Sequence, residues 1–234
     1  MGFDVNKTKF IIHSKFSDVY RFGVQFGNLV GNNQITSLFG EESVNTPSKM
    51  FYRGALQLAS ILMLQTEQFG GIKHTLVPVS VDQHPYILLA RDVAKQVGFT
   101  PSSEIVIQPL LGGKNPLIKM SSSDPQSAIF ITDTSDVIKN KINKSYTGSL
   151  STLEGHRRYG AIPNIYPVFQ ILRYHHDDTK YVQDIESKYS SGKLLTSDLK
   201  KIVIDFTTEM LQKLQKDVLG IGKGDIEKCL LSDL

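Results

Sequence analysis

The sequence predicts an α/β fold, a partial doubly wound parallel sheet over residues 1–133 followed by an all-α domain over residues 134–234. Three observations predict it. Through the first half, short apolar runs alternate with amphipathic segments, the pattern of strands joined by helices. Leu76, Val77, Val79 and Val81 make a nearly continuous apolar run within His74 to Val81, as in a strand covered on both faces of a parallel sheet. After Asp133 the apolar residues recur at helical spacing.

Taken in order, Lys9-Phe10-Ile11-Ile12-His13 reads as a short strand. Asp18 to Val30 is a helix with Val19, Phe22, Phe26, Leu29 and Val30 on its apolar face, stopped by Gly31. Asn32 or Asn33 caps a second helix carrying Ile35, Leu38 and Phe39, ended by Gly40. Pro47 opens a long helix to about Phe69, with Gly70-Gly71 as its stop. After the strand at His74 to Val81, Asp82 caps a helix with Pro85 in its first turn and Gly98 at its end. Ile105-Val106-Ile107 is another strand, and Leu110 to Ser123 is a loop with Gly112, Gly113 and Pro116. Ser135 to Lys144 is a basic amphipathic piece, and Ser151-Thr152-Leu153-Glu154 fits a capping box. Asp177 to Tyr189 and Thr196 to Leu219 are longer helices separated by Gly192, with Thr196 as the cap of the second.

Composition excludes more than it assigns. Charged residues make up 21% of the 234 and the formal charge is +3. Over residues 1–124 this is +2 (11 basic, 9 acidic) and over residues 125–234 it is +1 (15 basic, 14 acidic), so neither part is a basic arm. Cys229 is the single cysteine, which rules out an internal disulfide and a multi-cysteine zinc site; no metal site is expected. The first residues, Met1 to Lys7, have no apolar run and no myristoylation pattern, and no stretch has the length of a membrane span. A cytoplasmic protein without membrane contact is expected. Phe22, Phe26 and Leu29 recur at helical spacing, which favours core or subunit contact over base stacking for the aromatic-rich segment Phe16 to Phe39.

The string with the most chemical content is Lys119-Met120-Ser121-Ser122-Ser123. A lysine beside three hydroxyls, on a loop flanked by glycines after a strand, suits an anionic ligand: the ammonium is a compact charge, and hydroxyls and backbone N–H groups donate to phosphate oxygens. Upstream, Val77 to Tyr86 ends a strand and begins a helix, the place where open parallel sheets bind ligands. Gln83 adds there a side chain with both donor and acceptor, suited to an ammonium or a carboxylate.

On these residues the chain resembles the class I aminoacyl-tRNA synthetases, whose second signature loop is KMSSS. Val77 to Phe99, with Asp82-Gln83 and Arg91-Asp92-Val93-Ala94, looks like the tryptophanyl enzymes of the eukaryotic and archaeal branch. The resemblance runs nearly end to end. It includes Gly2-Phe3-Asp4, Asn6-Lys7-Thr8, Asn33 to Gly40, Ala55-Leu56-Gln57, Asp124 to Thr134, Glu154-Gly155-His156-Arg157 and Ser191 to Lys201. It implies a Rossmann-like catalytic half and an anticodon-binding-like helical domain. It also implies ATP with Mg2+ held in part by Lys119, Met120, Ser121, Ser122 and Ser123, with Lys119 catalytic on the pyrophosphate leaving group. Gln57 and Gln83 match positions that contact bound tryptophan, and tRNA is the implied partner.

The same comparison predicts a truncated homologue. None of the six histidines lies in the H-x-G-H pattern of the family's first signature, and Met1 to Asp4 falls where the family enters its third strand. Catalysis by this chain alone is not expected. Leu150 and Ser151 stand where relatives carry an Arg-Asp pair that reads the anticodon, and Pro163 to Pro167 replaces an acidic stretch, so contact with tRNA reduces to phosphates, through Lys139, Lys141, Lys144, Arg157 and Arg158. A separate chain bearing the HIGH motif is the alternative partner, and an incomplete reading of a longer active ligase is a third possibility. With two strands missing, Lys9 to His13 is expected to close the sheet by pairing directly with His74 to Val81, or else a second chain closes it. A homodimer through Asp18 to Phe39 is also expected.

Overall fold

The structure is a computed structural model that describes residues 4, 6–108 and 110–231. Of the segments in the resemblance above, Met1-Gly2-Phe3 lies outside the described residues, as does Val5. The chain folds into two compact units, one of residues 2–108 with 223–234, the other of residues 109–222. The change of periodicity at Asp133 lies inside the second unit, because the preceding loop is bonded to the helices that follow it: Lys141 to Asp133 at 2.6 Å, and the Tyr146 N–H to the Gly113 carbonyl at 2.8 Å.

In the α/β unit, β1 (Phe10–Ile11) pairs in parallel with β4 (Leu230–Leu231), while β2 (Leu76–Ser80) pairs in parallel with β3 (Ser103–Ile107). Direct closure between the first strand and β2 is therefore not what forms. The helix α5 (His84–Gln96) joins β2 to β3 as a parallel crossover, which sets those two strands side by side. The first strand is matched instead by a segment from the other end of the chain, led in by α11 (Lys223–Cys229), with Lys9 Nζ donating to the Lys228 carbonyl at 3.1 Å.

Four further helices build the core of this unit. Helix α1 (Ser17–Gly27) buries Val19, Phe22 and Phe26, the residues its periodicity selects. Helix α2 (Asn32–Phe39) starts with Gln34 Oε1 accepting the Gly31 N–H at 3.0 Å, so Gln34 rather than Asn32 or Asn33 completes its first turn. The long helix expected from Pro47 is divided: α3 (Pro47–Phe51), a π turn (Tyr52–Leu56) and α4 (Gln57–Leu62), then short 3-10 turns up to Gly70, whose φ is +92°. Helix α1 lies close on the wide turn, where a Cβ at Gly27 would stand 3.0 Å from that of Ala55.

Leu58, Leu62, Ile87 and Leu89 are wholly buried between α4 and α5, each contributing roughly 1.5–3 kcal/mol. Val77 and Val79 pack on that core, but Leu76, Ile105 and Ile107 are exposed. The burial expected on both faces of the strand is thus present only on the helix-covered face of β2, and Val106, which shares that face on β3, is exposed as well. Asp82 does not cap α5. Its carboxylate accepts from the Ser80 hydroxyl and the Gln83 amide, and Gln83 holds the cap position. Between α5 and β3, Glu104 receives His84 Nδ1 at 2.9 Å and Arg91 at 3.1 Å.

The second unit is helical: α6 (Ser135–Asn143), α7 (Leu153–Tyr159), α8 (Pro167–His175), α9 (Thr179–Ser190) and α10 (Thr196–Leu219). Thr134, Thr152 and Asp178 cap α6, α7 and α9 by accepting the N–H of Val137, Gly155 and Tyr181. The cap of α7 is one residue later than the expected box, and Thr196 begins α10 rather than capping it. Its hydroxyl lies 3.2 Å from both Ser149 and Tyr189. Helix α8 has no counterpart in the sequence reading. Its buried residues come as one unbroken run, Pro167 to Leu172, and so short an apolar run does not by its period tell a helix from a strand.

Candidate functional site

Residues 110–120 form a hairpin-like loop on the helical unit. The Gly112 N–H donates to Ile118 O and the Met120 N–H to Leu110 O, both at 2.7 Å, and Leu111 bridges Lys119 in antiparallel sense. The two arms approach closely at Gly112, where a Cβ would come within 3.1 Å of Asn115 O and Ile118 Cγ1. The loop is fastened at three points. Leu111 N–H donates to Gln170 Oε1 on α8 at 2.9 Å, Gly113 N–H to Ser127 O at 3.0 Å, and Tyr146 N–H to Gly113 O at 2.8 Å.

From this base Lys119 is exposed, while Met120 turns inward beside Ser127, Ile142 and Ile171. The serines that follow form a tight turn. Ser121 and Ser123 hydroxyls are 2.7 Å apart, Ser121 Oγ also accepts the Ser123 N–H at 3.3 Å, and buried Ser127 donates to Asp124 O at 2.8 Å. Ser122 and Ser123 are exposed. The result is an ammonium and several hydroxyls presented on one anchored loop, a donor set fit for phosphate oxygens. Gln170 and Ser127 were not among the candidate residues of the sequence. The signal for Gln170 is its place in Val168-Phe169-Gln170-Ile171-Leu172, because a polar residue inside a buried run needs a partner.

The other candidates are distributed as follows. Gln57 is the first residue of α4, directly after the π turn, and is partly buried; Gln83 precedes α5 and donates to Asp82 Oδ2 at 3.1 Å. Helices α4 and α5 pack on each other, so these two glutamines belong to one unit, and Lys119 to Ser123 belong to the other. Of the five basic residues, Lys144, Arg157 and Arg158 are exposed, and Lys139 lines an open groove of about 950 Å³ together with Lys200 and Lys201. Lys141 differs. Its ammonium lies 2.6 Å from Asp133, 2.8 Å from Ala128 O and over the Phe130 ring, so it ties α6 to the loop before it and is not presented to a phosphate. Among the described residues, no group of three or more His, Cys, Asp or Glu is arranged to hold a metal ion.

The family described as class I tRNA synthetases for tryptophan and tyrosine matches residues 1–212. The chain belongs to this family. Within it the likeness is to the tryptophanyl synthetases. The tryptophan–tRNA ligase of Sulfolobus acidocaldarius is 32% identical over 96% of this chain and 59% of its own length. The cytoplasmic enzyme of Oryctolagus cuniculus is 35% identical over 87% of this chain and 44% of its own. Among solved structures, the tryptophanyl-tRNA synthetase of Aeropyrum pernix superposes with a TM-score of 0.86 at 30% identity, covering 99% of this chain and 63% of that one. A tyrosyl-tRNA synthetase from Aeropyrum pernix shares the fold at a TM-score of 0.68 and 22% identity. The chain therefore spans about half to three fifths of the synthetases it matches.

Proposed function

We propose that this chain is a cytoplasmic tryptophan–tRNA ligase homologue that carries the KMSSS part of the active site, is inactive by itself, and acts through tRNA or protein contacts. The reading rests on the anchored loop Lys119 to Ser123 in a sequence that holds no H-x-G-H pattern. The loop's donors fit the phosphate end of ATP, which in the family supplies the adenylyl group for activation of the amino acid. Lys119 would stabilise the charge that develops on the pyrophosphate leaving group, a kind of interaction worth roughly 3–4 kcal/mol in a water-excluded site. Ser122 and Ser123 would donate to the same oxygens. Oxygen ligands for Mg2+ would come from phosphates and water, the usual habit of that ion. Gln57 and Gln83 would hold the ammonium and carboxylate of tryptophan. One clamp without its opposite number leaves the triphosphate unfixed, hence no catalysis alone. Tryptophan-dependent exchange of pyrophosphate into ATP tests this, and exchange at the rate of a complete synthetase would sink it.

A second reading, that a separate chain completes the site, is favoured by the bare side of the β2–β3 pair. Leu76, Ile105 and Ile107 are exposed there, on a parallel pair whose kind is normally covered on both faces. We also propose a homodimer through α1 and α2. The groove beside α1, about 330 Å³ and lined by Gly23, Val24, Gly27, Ile35 and Phe51, supports it. Sedimentation of the native chain against Val24→Asp decides that point, and a monomer in both would end the proposal.

A further inference from the structure

Strands β2 and β3 present one face without a cover. Their register sets Leu76 against Ser103, Pro78 against Ile105 and Ser80 against Ile107, so these six residues are neighbours on one face. Leu76, Ile105 and Ile107 are 58%, 51% and 50% exposed, and Pro78 is exposed with them. None of the six is charged. Helix α5 lies on the other face, where Glu104 accepts from its His84 and Arg91 and where Val77 and Val79 pack. On that side only Val106, of the strands' apolar residues, is open.

The same pair has an open edge. Among the described residues β2 has a single strand neighbour, β3. The Ser103 N–H donates to Thr75 O at 2.9 Å, so Thr75, Val77 and Val79 direct their peptide groups at β3. Leu76, Pro78 and Ser80 alternate with them and direct theirs the other way. The donors on that edge are the N–H groups of Leu76 and Ser80, since proline has none.

The hand of parallel crossovers ties the bare face to this edge. Crossovers are right-handed, so a sheet extended beyond β3 in the sense of β2–α5–β3 sets its next helix on the α5 face. A βαβ unit that extends the sheet the opposite way, from the edge of β2, sets its helix on the opposite face, the one left bare. We propose that β2 and β3 receive such a unit from a separate polypeptide: a strand added in parallel beside β2, and a helix whose apolar stripe covers Leu76, Ile105 and Ile107. This partner is a form of the separate chain proposed above to complete the site, and rests on that reading. The match over 237 residues takes up 59% of one synthetase, and the remaining two fifths is several times the roughly 30 residues of a βαβ unit. A second copy of this chain fits less well, because two bare faces laid together leave the edge of β2 unpaired in each. The reversal of direction at β2 makes its carboxyl end, with Asp82 and Gln83, a switch point of the kind at which open sheets bind ligands.

The full chain is co-expressed with the portion of that 32%-identical ligase lying outside the match, as a separate polypeptide. The two should sediment as an equimolar complex. Ile105→Asp and Leu76→Asp should each weaken it about tenfold or more, while Val24→Asp, on the groove beside α1, should leave it unchanged. These side chains are exposed, so thermal melts matching the parent exclude unfolding as the cause. Hydrogen exchange at Leu76 and Ser80 should slow about tenfold or more in the complex, the mark of an added strand. Absence of a complex overturns the proposal. So does a complex indifferent to Ile105→Asp and Leu76→Asp, or one in which Leu76 and Ser80 exchange as before. A dimer of this chain alone that Ile105→Asp dissolves would give the face to a second copy and overturn it too. Pyrophosphate exchange separates docking from completion of the site. A complex with these properties but no exchange keeps the docking and ends the completed site, whereas exchange unaffected by Ile105→Asp does the reverse.

Discussion

Gln170 on α8 accepts the Leu111 amide at 2.9 Å, so the loop that ends in Lys119 hangs from a buried helix of the helical unit rather than from a strand end. Gln170 is buried, and Gln170→Leu keeps its bulk while leaving the Leu111 N–H without its acceptor. The expected cost is about 1–3 kcal/mol of stability. Hydrogen exchange at Leu111 and Gly112 should accelerate, and unchanged exchange would show that the other two fastenings suffice.

Tryptophan should bind weakly or not at all. Gln57 and Gln83 meet only its polar end, and enclosing the ring supplies most of such affinity, a few kcal/mol by area. Calorimetry with the native chain and Gln83→Ala checks this. Micromolar affinity that depends on Gln83 would contradict it.

Binding of tRNA should be weak, steeply salt-dependent and indifferent to the anticodon. Lys139, Lys144, Arg157 and Arg158 are exposed for phosphates, while Leu150 and Ser151 offer little with which to discriminate bases. Lys141→Ala should lower stability more than tRNA affinity, because its ammonium is bonded to Asp133. Gel shifts with tRNAs of different anticodons, at several salt concentrations, provide the measurement. A preference for the tryptophan anticodon would refute it.

Gly160 has φ +69°, and a Cβ there would fall 1.7 Å from the Ser190 carbonyl oxygen. Gly160→Ala must separate α7 from the end of α9 and should cost about 3 kcal/mol or more. Gly224→Ala is the control, since a Cβ at Gly224 meets nothing within 4 Å and helix propensity favours alanine by up to about 1 kcal/mol. Urea melts of both variants compare them, and equal midpoints would deny the close approach.

Burial, with a further contribution from Tyr189 beside it, pushes the Tyr166 phenol well above the tyrosine range, and burial also raises Tyr189. Both groups are protonated in folded and unfolded chains at neutral pH, so they contribute no slope there. Above the ordinary value of 10.0 the unfolded chain releases these protons while the folded chain retains them, and stability must fall as pH rises. Tyr166→Phe should flatten that alkaline loss. Melts between neutral and alkaline pH test it, and an identical slope in the variant would count against it.

By itself the sequence determined the order of elements wherever one face is apolar and the other polar. Val19, Phe22 and Phe26 mark α1, and Leu199, Val203 and Leu211 mark α10, because burial on one side leaves a period in the residues. It also determined the chemical character of Lys119 to Ser123 and, through their resemblance, the family. Tertiary structure decided what depends on contacts between distant residues. Helix α8 opens on six consecutive buried residues, too short an apolar run to be told from a strand in sequence, and β1 finds its partner at Leu230–Leu231 across nearly the whole chain. Lys141 has the composition of a surface cation, yet Asp133 and the Ala128 carbonyl claim it. The exposed side of β2 and β3 reads in sequence as a strand covered twice, because apolar residues record that a surface is to be buried and not which element buries it.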